Sequence, residues 1–184
     1  DHHAKVLIDL QDAYRGAQRS ISLQMPVLDA EGRLGTQERT LNVNIPKGVR
    51  EGQHLRLAGQ GGPGLGDGPA GNLYLEIAFR PNPRFRVDGR DVYFDLPVAP
   101  WEAALGASIA APTPEDQVQL SIPPGSTAGR KLRLKGKGIP SKPPGDLYAV
   151  LAIVLPPADT EAAKNAYLTL QKNFNFNPRA GLEG

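Results

Sequence analysis

"IPKGVREGQHLRLAGQGGP" (Ile45–Pro63) and "IPPGSTAGRKLRLKGKGIP" (Ile122–Pro140) agree at ten of nineteen positions without a gap. Self-similarity of this kind marks a chain built from repeated structural units. Pro46 and Pro123 lack an N–H, so each marks a point where a strand stops donating to its ladder. Gly48 with Gly52, and Gly125 with Gly129, flank a tight connection that calls for positive φ. In "HLRLAG" and "KLRLKG" the alternation sends Leu55, Leu57, Leu132 and Leu134 to a core, and Arg56 and Arg133 to water.

The likeness spreads outward from this pair. "GNLYLEI" (Gly71–Ile77) returns as "GDLYAVL" (Gly145–Leu151), and both are β-rich in the manner of central strands. Upstream, "VLIDLQDAYRG" (Val6–Gly16) resembles "VYFDLPVAPWEAALG" (Val92–Gly106), with four extra residues in the second copy. Asp9 and Asp95 recur in this alignment, which suggests a structural role. Each copy reads as strand, short helical turn ending in Gly, strand, "IPxG" strand, glycine loop and final strand. The expected architecture is all-β: tandem β-sandwich units at about residues 1–84 and 85–157, then a C-terminal helix and tail at 158–184.

Composition agrees. The 184 residues hold 21 Gly and 18 Pro, falling between short apolar runs, as in chains of many strands and turns. With no cysteine, disulfides, thiolate metal sites and thiol nucleophiles are excluded, and a reducing compartment is compatible. No apolar run reaches the roughly 18–20 residues of a membrane span, so no membrane role is expected. The abrupt start at "DHHAKVLIDL" suggests a piece of a longer protein. A formal net charge of +2 does not by itself argue for nucleic acid.

The differences between the copies are where function is expected. In "RSISLQM" (Arg19–Met25), Ser20, Ser22 and Gln24 alternate with Ile21, Leu23 and Met25, giving one polar and one apolar face. Its expected partner is "KVLIDL" (Lys5–Leu10), and the matching "ASIAAPT" (Ala107–Thr113) is smaller and blander. "PVLDAEGRLGTQER" (Pro26–Arg39) reads as a polar hairpin or loop. In "ADTEAAKNAYLTLQKNF", Ala163, Ala166, Tyr167, Leu170 and Phe174 fall at helical spacing, with Asp159 or Thr160 as cap. That stripe must be buried either on the sandwich or on a partner chain.

Catalytic patterns are missing. The histidines are His2, His3 and His54, and neither HExxH nor GxSxG occurs. "GGPGLGDG" (Gly61–Gly68) lacks the Lys-Ser/Thr of a phosphate-binding loop and reads as a flexible strand connector. No enzyme, metal or cofactor is expected. "RKLRLKGKGIPSK" (Arg130–Lys142) holds six cations and no acid, with Lys131, Arg133 and Lys135 on one strand face. Such a face either contacts phosphates or solubilises an edge. The aromatic interleaving of single-strand binders is not visible in it.

These tandem units, joined by "RPNPRFRVDGRDVYFDLPVAPWEAALG", resemble the C-terminal half of zinc-free J-domain co-chaperones of the DnaJ family. The "DHHA" start and "FNFNPRAGL" ending are similar to the bacterial curved-DNA-binding subgroup. The likeness covers essentially the whole chain. The His-Pro-Asp tripeptide of the J-domain is absent, and "PVLDAEGRLGTQER" stands where DnaJ itself carries a cysteine-rich zinc module. The resemblance implies a cytoplasmic, client-binding fragment that dimerises through its last helix and receives unfolded polypeptide or the acidic tail of a DnaK-type chaperone. The matching groove positions are Ile8, Leu10, Ile21, Leu23 and Phe85, with Arg19 and Arg39 as basic flanks. Ile21 stands where the family often has an aromatic. Periodicity alone assigns such residues to the core; the resemblance assigns them to a groove. The subgroup name implies an alternative, nucleoid-associated binding of curved DNA through Arg130, Lys131, Arg133, Lys135 and Lys137.

Overall fold

The computed structural model describes residues 1–61 and 70–182. The glycine connector expected at Gly61–Gly68 therefore lies outside the described residues from position 62 onward. Gly61 itself is buried, and its N–H donates to the Gly71 carbonyl at 2.9 Å.

The chain is mostly strand. The first half runs β1 (His2–Ile8), α1 (Leu10–Arg15), β2 (Ala17–Leu28), β3 (Leu34–Ile45), β4 (His54–Leu57) and β5 (Leu73–Phe79). The second runs β6 (Phe85–Asp88), β7 (Asp91–Val98), α2 (Pro100–Leu105), β8 (Ala107–Pro112), β9 (Gln117–Ile122), β10 (Lys131–Leu134) and β11 (Leu147–Ile153). Then comes α3 (Glu161–Asn173). In each half a sheet faces a two-stranded ribbon: β1-β5-β4 over β2-β3, and β10-β11-β7-β6 over β8-β9. The "LYLEI" and "LYAVL" strands are interior to their sheets, as their composition predicted.

Two expectations need correction. β2 pairs along its whole length with β3, whereas β1 pairs in parallel with β5, so "RSISLQM" and "KVLIDL" are not partners. A long hairpin satisfies β2 locally, and β1 takes the strand that carries its own core face. The four-residue insertion also disappears. His2 pairs with Leu73 as Val92 pairs with Leu147, and the helix caps Asp9 and Ala99 are in step. Val6 thus corresponds to Leu96 and Ile8 to Val98. The shared V-x-[IF]-D spelling is a coincidence of phase. Asp9 caps α1 and pairs with Arg80, while Asp95 stands in mid-strand with Arg86.

The repeated glycines have the predicted geometry, with φ of +89° and +82° at Gly48 and Gly52, and +71° and +82° at Gly125 and Gly129. Inward residues of each sheet and ribbon build a core. Val6, Ile8, Val43, Ile45, Leu73 and Leu75 fill the first; Val92, Phe94, Leu96, Ile122, Leu147 and Leu151 are among those filling the second.

The second core also contains two residues from the first half. Leu10 and Tyr14, on one face of α1, are 2% and 3% exposed within it. The Tyr14 hydroxyl donates to the Lys137 carbonyl at 2.9 Å, and Arg15 Nη2 donates to the Glu115 carbonyl at 2.9 Å. Burial raises the Tyr14 phenol well above its ordinary value, so it remains a donor throughout the neutral range. Helix α1 is thus a wedge joining the halves.

Candidate peptide-binding groove

Among the described residues, β1 and β2 each have one strand partner, and their other edges face a shared cleft of about 260 Å³. Its apolar surface comes from Val6, Leu7, Ile8 and Ile21, and its charged rim from Asp9, Asp12, Arg19 and Arg80. Unpaired strand edges carry backbone donors and acceptors that an extended peptide can satisfy.

The rim is unequally held. Asp12 is 5% exposed, and its carboxylate accepts from Arg19 through both Nε and Nη2, and from the Asp9 N–H at 3.2 Å. The guanidinium itself is half exposed, but its departure would leave the nearly buried Asp12 carboxylate without its charged partner. Arg19 is therefore committed to Asp12. Arg80 instead meets Asp9 at 2.7 Å through Nη1, with both side chains more than half exposed. Exposed pairs of this kind are worth about 0–1 kcal/mol.

The predicted groove residues separate. Ile8 and Ile21 line the cleft, Ile8 as its floor at 2% exposure. Leu23 packs half-buried against the first core. Leu10 and Phe85 belong to the second core and to a different cleft of about 510 Å³ at the junction of the halves, which also exposes Phe79 and Val87. Arg39, on β3, is turned away to the Gln60 backbone and side chain. Leu7 was missed because it is out of phase with the core series Val6, Ile8; at 53% exposed, its phase was the signal. Arg80 was missed because it follows β5, far along the chain from the strands it serves.

The DnaJ C terminal domain family matches residues 2–156 of this chain. The chain belongs to that family. This DnaJ C-terminal domain is 45% identical over its whole length to a "Curved DNA-binding protein" of Coxiella burnetii, covering 59% of that relative. Proteins of the same name from Pseudomonas putida and Salmonella arizonae are 43% and 46% identical over 97% of the chain, which covers 57% and 60% of them. The chain thus spans somewhat over half the length of the curated relatives it matches.

The basic strand of this DnaJ C-terminal domain is less open than its sequence. Arg133 Nε donates to Asp146 Oδ2 at 2.8 Å, and the Gly136 N–H donates to Oδ1 at 2.8 Å. The Gly136 amide first, and Arg133 after it, hold the Asp146 carboxyl below its ordinary range. Arg130 reaches the Ser126 hydroxyl at 3.4 Å, while Lys131, Lys135 and Lys137 are exposed. Aromatics unseen in the linear stretch stand beside it. Strand register forms a row, Arg133–Tyr148–Tyr93–Arg86, across β10, β11, β7 and β6. The two tyrosine rings stack at 4.9 Å, and Lys131 Nζ lies 5.6 Å from the Tyr93 centroid. Arg86 is paired with Asp95 at 3.0 Å.

Helix α3 starts at Thr160, whose hydroxyl accepts the Ala163 N–H at 3.1 Å. Ala163 and Tyr167 are half-buried, with the Tyr167 hydroxyl on the Pro156 carbonyl, while Ala166, Leu170 and Phe174 are exposed. Among the described residues, no member of the stripe is fully buried, and its C-terminal half is open. Among the described residues, no cluster of ligating side chains suits a metal ion, and no helix is long and apolar enough to cross a membrane.

Proposed function

We propose that this chain is the client-binding part of a co-chaperone, capturing extended non-native polypeptide for delivery to a DnaK-type partner. The observation that carries the reading is the cleft between two unpaired strand edges over Leu7, Ile8 and Ile21. A client adds main-chain hydrogen bonds along an edge and buries an apolar side chain against Leu7 and Ile21. No step needs a nucleophile or a cofactor. Such capture is reversible, which suits hand-over.

A second reading, binding of DNA, is favoured by the name carried by the relatives and by exposed Lys131, Lys135 and Lys137 beside the stacked tyrosines. The two separate in one experiment. Fluorescence anisotropy with a labelled extended apolar peptide and a labelled duplex, at low and moderate salt, is read for Ile21→Ser and for Lys131→Glu/Lys135→Glu. Ile21→Ser is expected to weaken peptide about tenfold, in line with loss of one buried aliphatic side chain, and to leave DNA unchanged. The charge reversal is expected to spare peptide and flatten the salt dependence of DNA binding by about one unit of slope for each phosphate no longer neutralised. Equal damage by both variants to both ligands would sink the assignment of separate sites.

The exposed Leu170 and Phe174 point to a second copy of this chain as the cover for α3, which would present two grooves together and raise effective concentration. Leu170→Ser/Phe174→Ser is expected to halve the mass seen in sedimentation equilibrium at micromolar concentration. A wild-type monomer at that concentration would remove the dimer from this proposal.

A further inference from the structure

We infer that the first half has a second strand-accepting seam, between the free edges of β3 and β4, and that it takes an extended polypeptide carrying an acidic side chain beside Arg56. This seam lies on the opposite side of the sandwich from the groove above and is independent of it.

A three-stranded sheet over a two-stranded ribbon has two open sides. β1 and β2 border one, and β4 and β3 border the other, a cleft of about 450 Å³. Leu41 of β3 and Leu57 of β4 line it from half-buried positions against the first core, and Thr40, Asn42, Arg56 and Gln60 surround them. Among the described residues, β3 pairs only with β2, and β4 only with β5. Two strand edges on one cleft present main-chain donors and acceptors that a polypeptide backbone matches. β3 is also 12 residues long where its counterpart β9 has 6, so the corresponding edge of the second half is much shorter.

The copies also differ in charge at this place. Arg56 lies opposite Tyr74 as Arg133 lies opposite Tyr148. In the second copy, Asp146 closes the glycine turn by accepting the Gly136 N–H at 2.8 Å, and it holds Arg133 at 2.8 Å. In the first, Asn72 accepts the Gly59 N–H at 3.3 Å and closes the turn without a charge. Arg56 is exposed and, among the described residues, has neither a hydrogen bond nor an ion pair. Arg39 is held by Gln60 at the end of the cleft, and the outward carboxylate nearest in strand register, Glu76, lies opposite His54. An arriving carboxylate therefore gains Arg56 without displacing another acid. Leu57 faces inward and Arg56 outward, so a strand added beside β4 sends alternate apolar residues into the seam and the residue between them to Arg56. The occupant is an extended polypeptide of pattern apolar-acidic-apolar.

The test uses three labelled peptides that differ only at the centre, Leu-Glu-Leu, Leu-Gln-Leu and Leu-Lys-Leu, each within the same Ser/Ala flanks. Affinities are measured by anisotropy for wild type, Arg56→Gln, Arg56→Glu, Arg133→Gln and Ile21→Ser. Wild type is expected to prefer the Glu peptide over the Lys peptide about tenfold, as a charge-assisted bond against a like-charge contact would give. Arg56→Gln should bring the three within about twofold, and Arg56→Glu should invert the order, with added salt shrinking both differences. Arg133→Gln and Ile21→Ser should keep the wild-type ratio, since neither residue borders this seam. A ratio kept in Arg56→Gln would overturn the inference; if it were lost in Ile21→Ser instead, the acidic segment would sit in the β1/β2 groove and the groove reading would stand. Wild-type binding indifferent to the central residue, or an Ile21→Ser protein that bound none of the three, would overturn it equally.

Discussion

Gly145→Ala is expected to lower the melting temperature by about 6–12 °C, from an overpacking cost of about 3 kcal/mol. A Cβ at Gly145 would lie 1.8 Å from the Arg90 carbonyl oxygen and 2.4 Å from its carbon, both backbone atoms that no rotamer change can move. That same carbonyl accepts the Ile139 N–H at 2.9 Å, and the Gly145 N–H donates to the Ile139 carbonyl at 2.9 Å. Making room would part the loop from the turn before β7 and open fully buried Ile139 to water. Close approach, not positive φ, is the reason for glycine here. The control is Gly181→Ala, where no atom of the described residues lies within 4 Å of the added methyl and no change is expected. The check is thermal denaturation followed by circular dichroism. A Gly145→Ala protein melting within about 2 °C of wild type, less than one kcal/mol at this size, would show that the loop relaxes freely.

Tyr14→Ala is expected to cost about 3–5 kcal/mol, as for other buried aromatics truncated to alanine. The loss should also change the shape of unfolding. Each half has its own core; Phe79 is partly buried against both, and Tyr14 with Leu10 carries the first half into the second. With the wedge cut, the single transition expected of wild type should divide into two in calorimetry. Tyr14→Phe keeps the ring and removes only the bond to the Lys137 carbonyl, so it should cost about 1 kcal/mol and leave one transition. A Tyr14→Ala protein that unfolds in one transition, shifted no more than Tyr14→Phe, would mean that the halves are held by other contacts.

Much of the architecture is local, and the local part was legible. Proline and glycine at Pro46, Gly48 and Gly52, repeated at Pro123, Gly125 and Gly129, marked where strands stop and turn. The Leu-Arg-Leu alternation assigned inward and outward faces, and Asp159 or Thr160 marked the start of α3, where Thr160 is the cap. What escaped is non-local. Nothing in "RSISLQM" says whether its neighbour is the strand before it or the hairpin arm after it, because both present the same alternation. The first strand of each copy was aligned by spelling, and only pairing against β5 and β11 shows the phase. The site suffered from the same cause. The residues most regular in period, Ile8 and Leu10, are the best buried, while exposed Leu7 and distant Arg80 break the pattern. Tyr93 and Tyr148 come together with the basic strand only through strands that the linear stretch does not contain.

The wedge also bears on how such a repeat can grow. In α2 the positions of Leu10 and Tyr14 are taken by Pro100 and Ala104, while Trp101 and Leu105 stand 58% and 76% exposed. The second copy thus lacks the joint by which the first propagates. Stacked repeat proteins extend because every unit offers its successor the same interface. Here the interface is written once, in the first copy, and α2 presents no equivalent of it to a further unit.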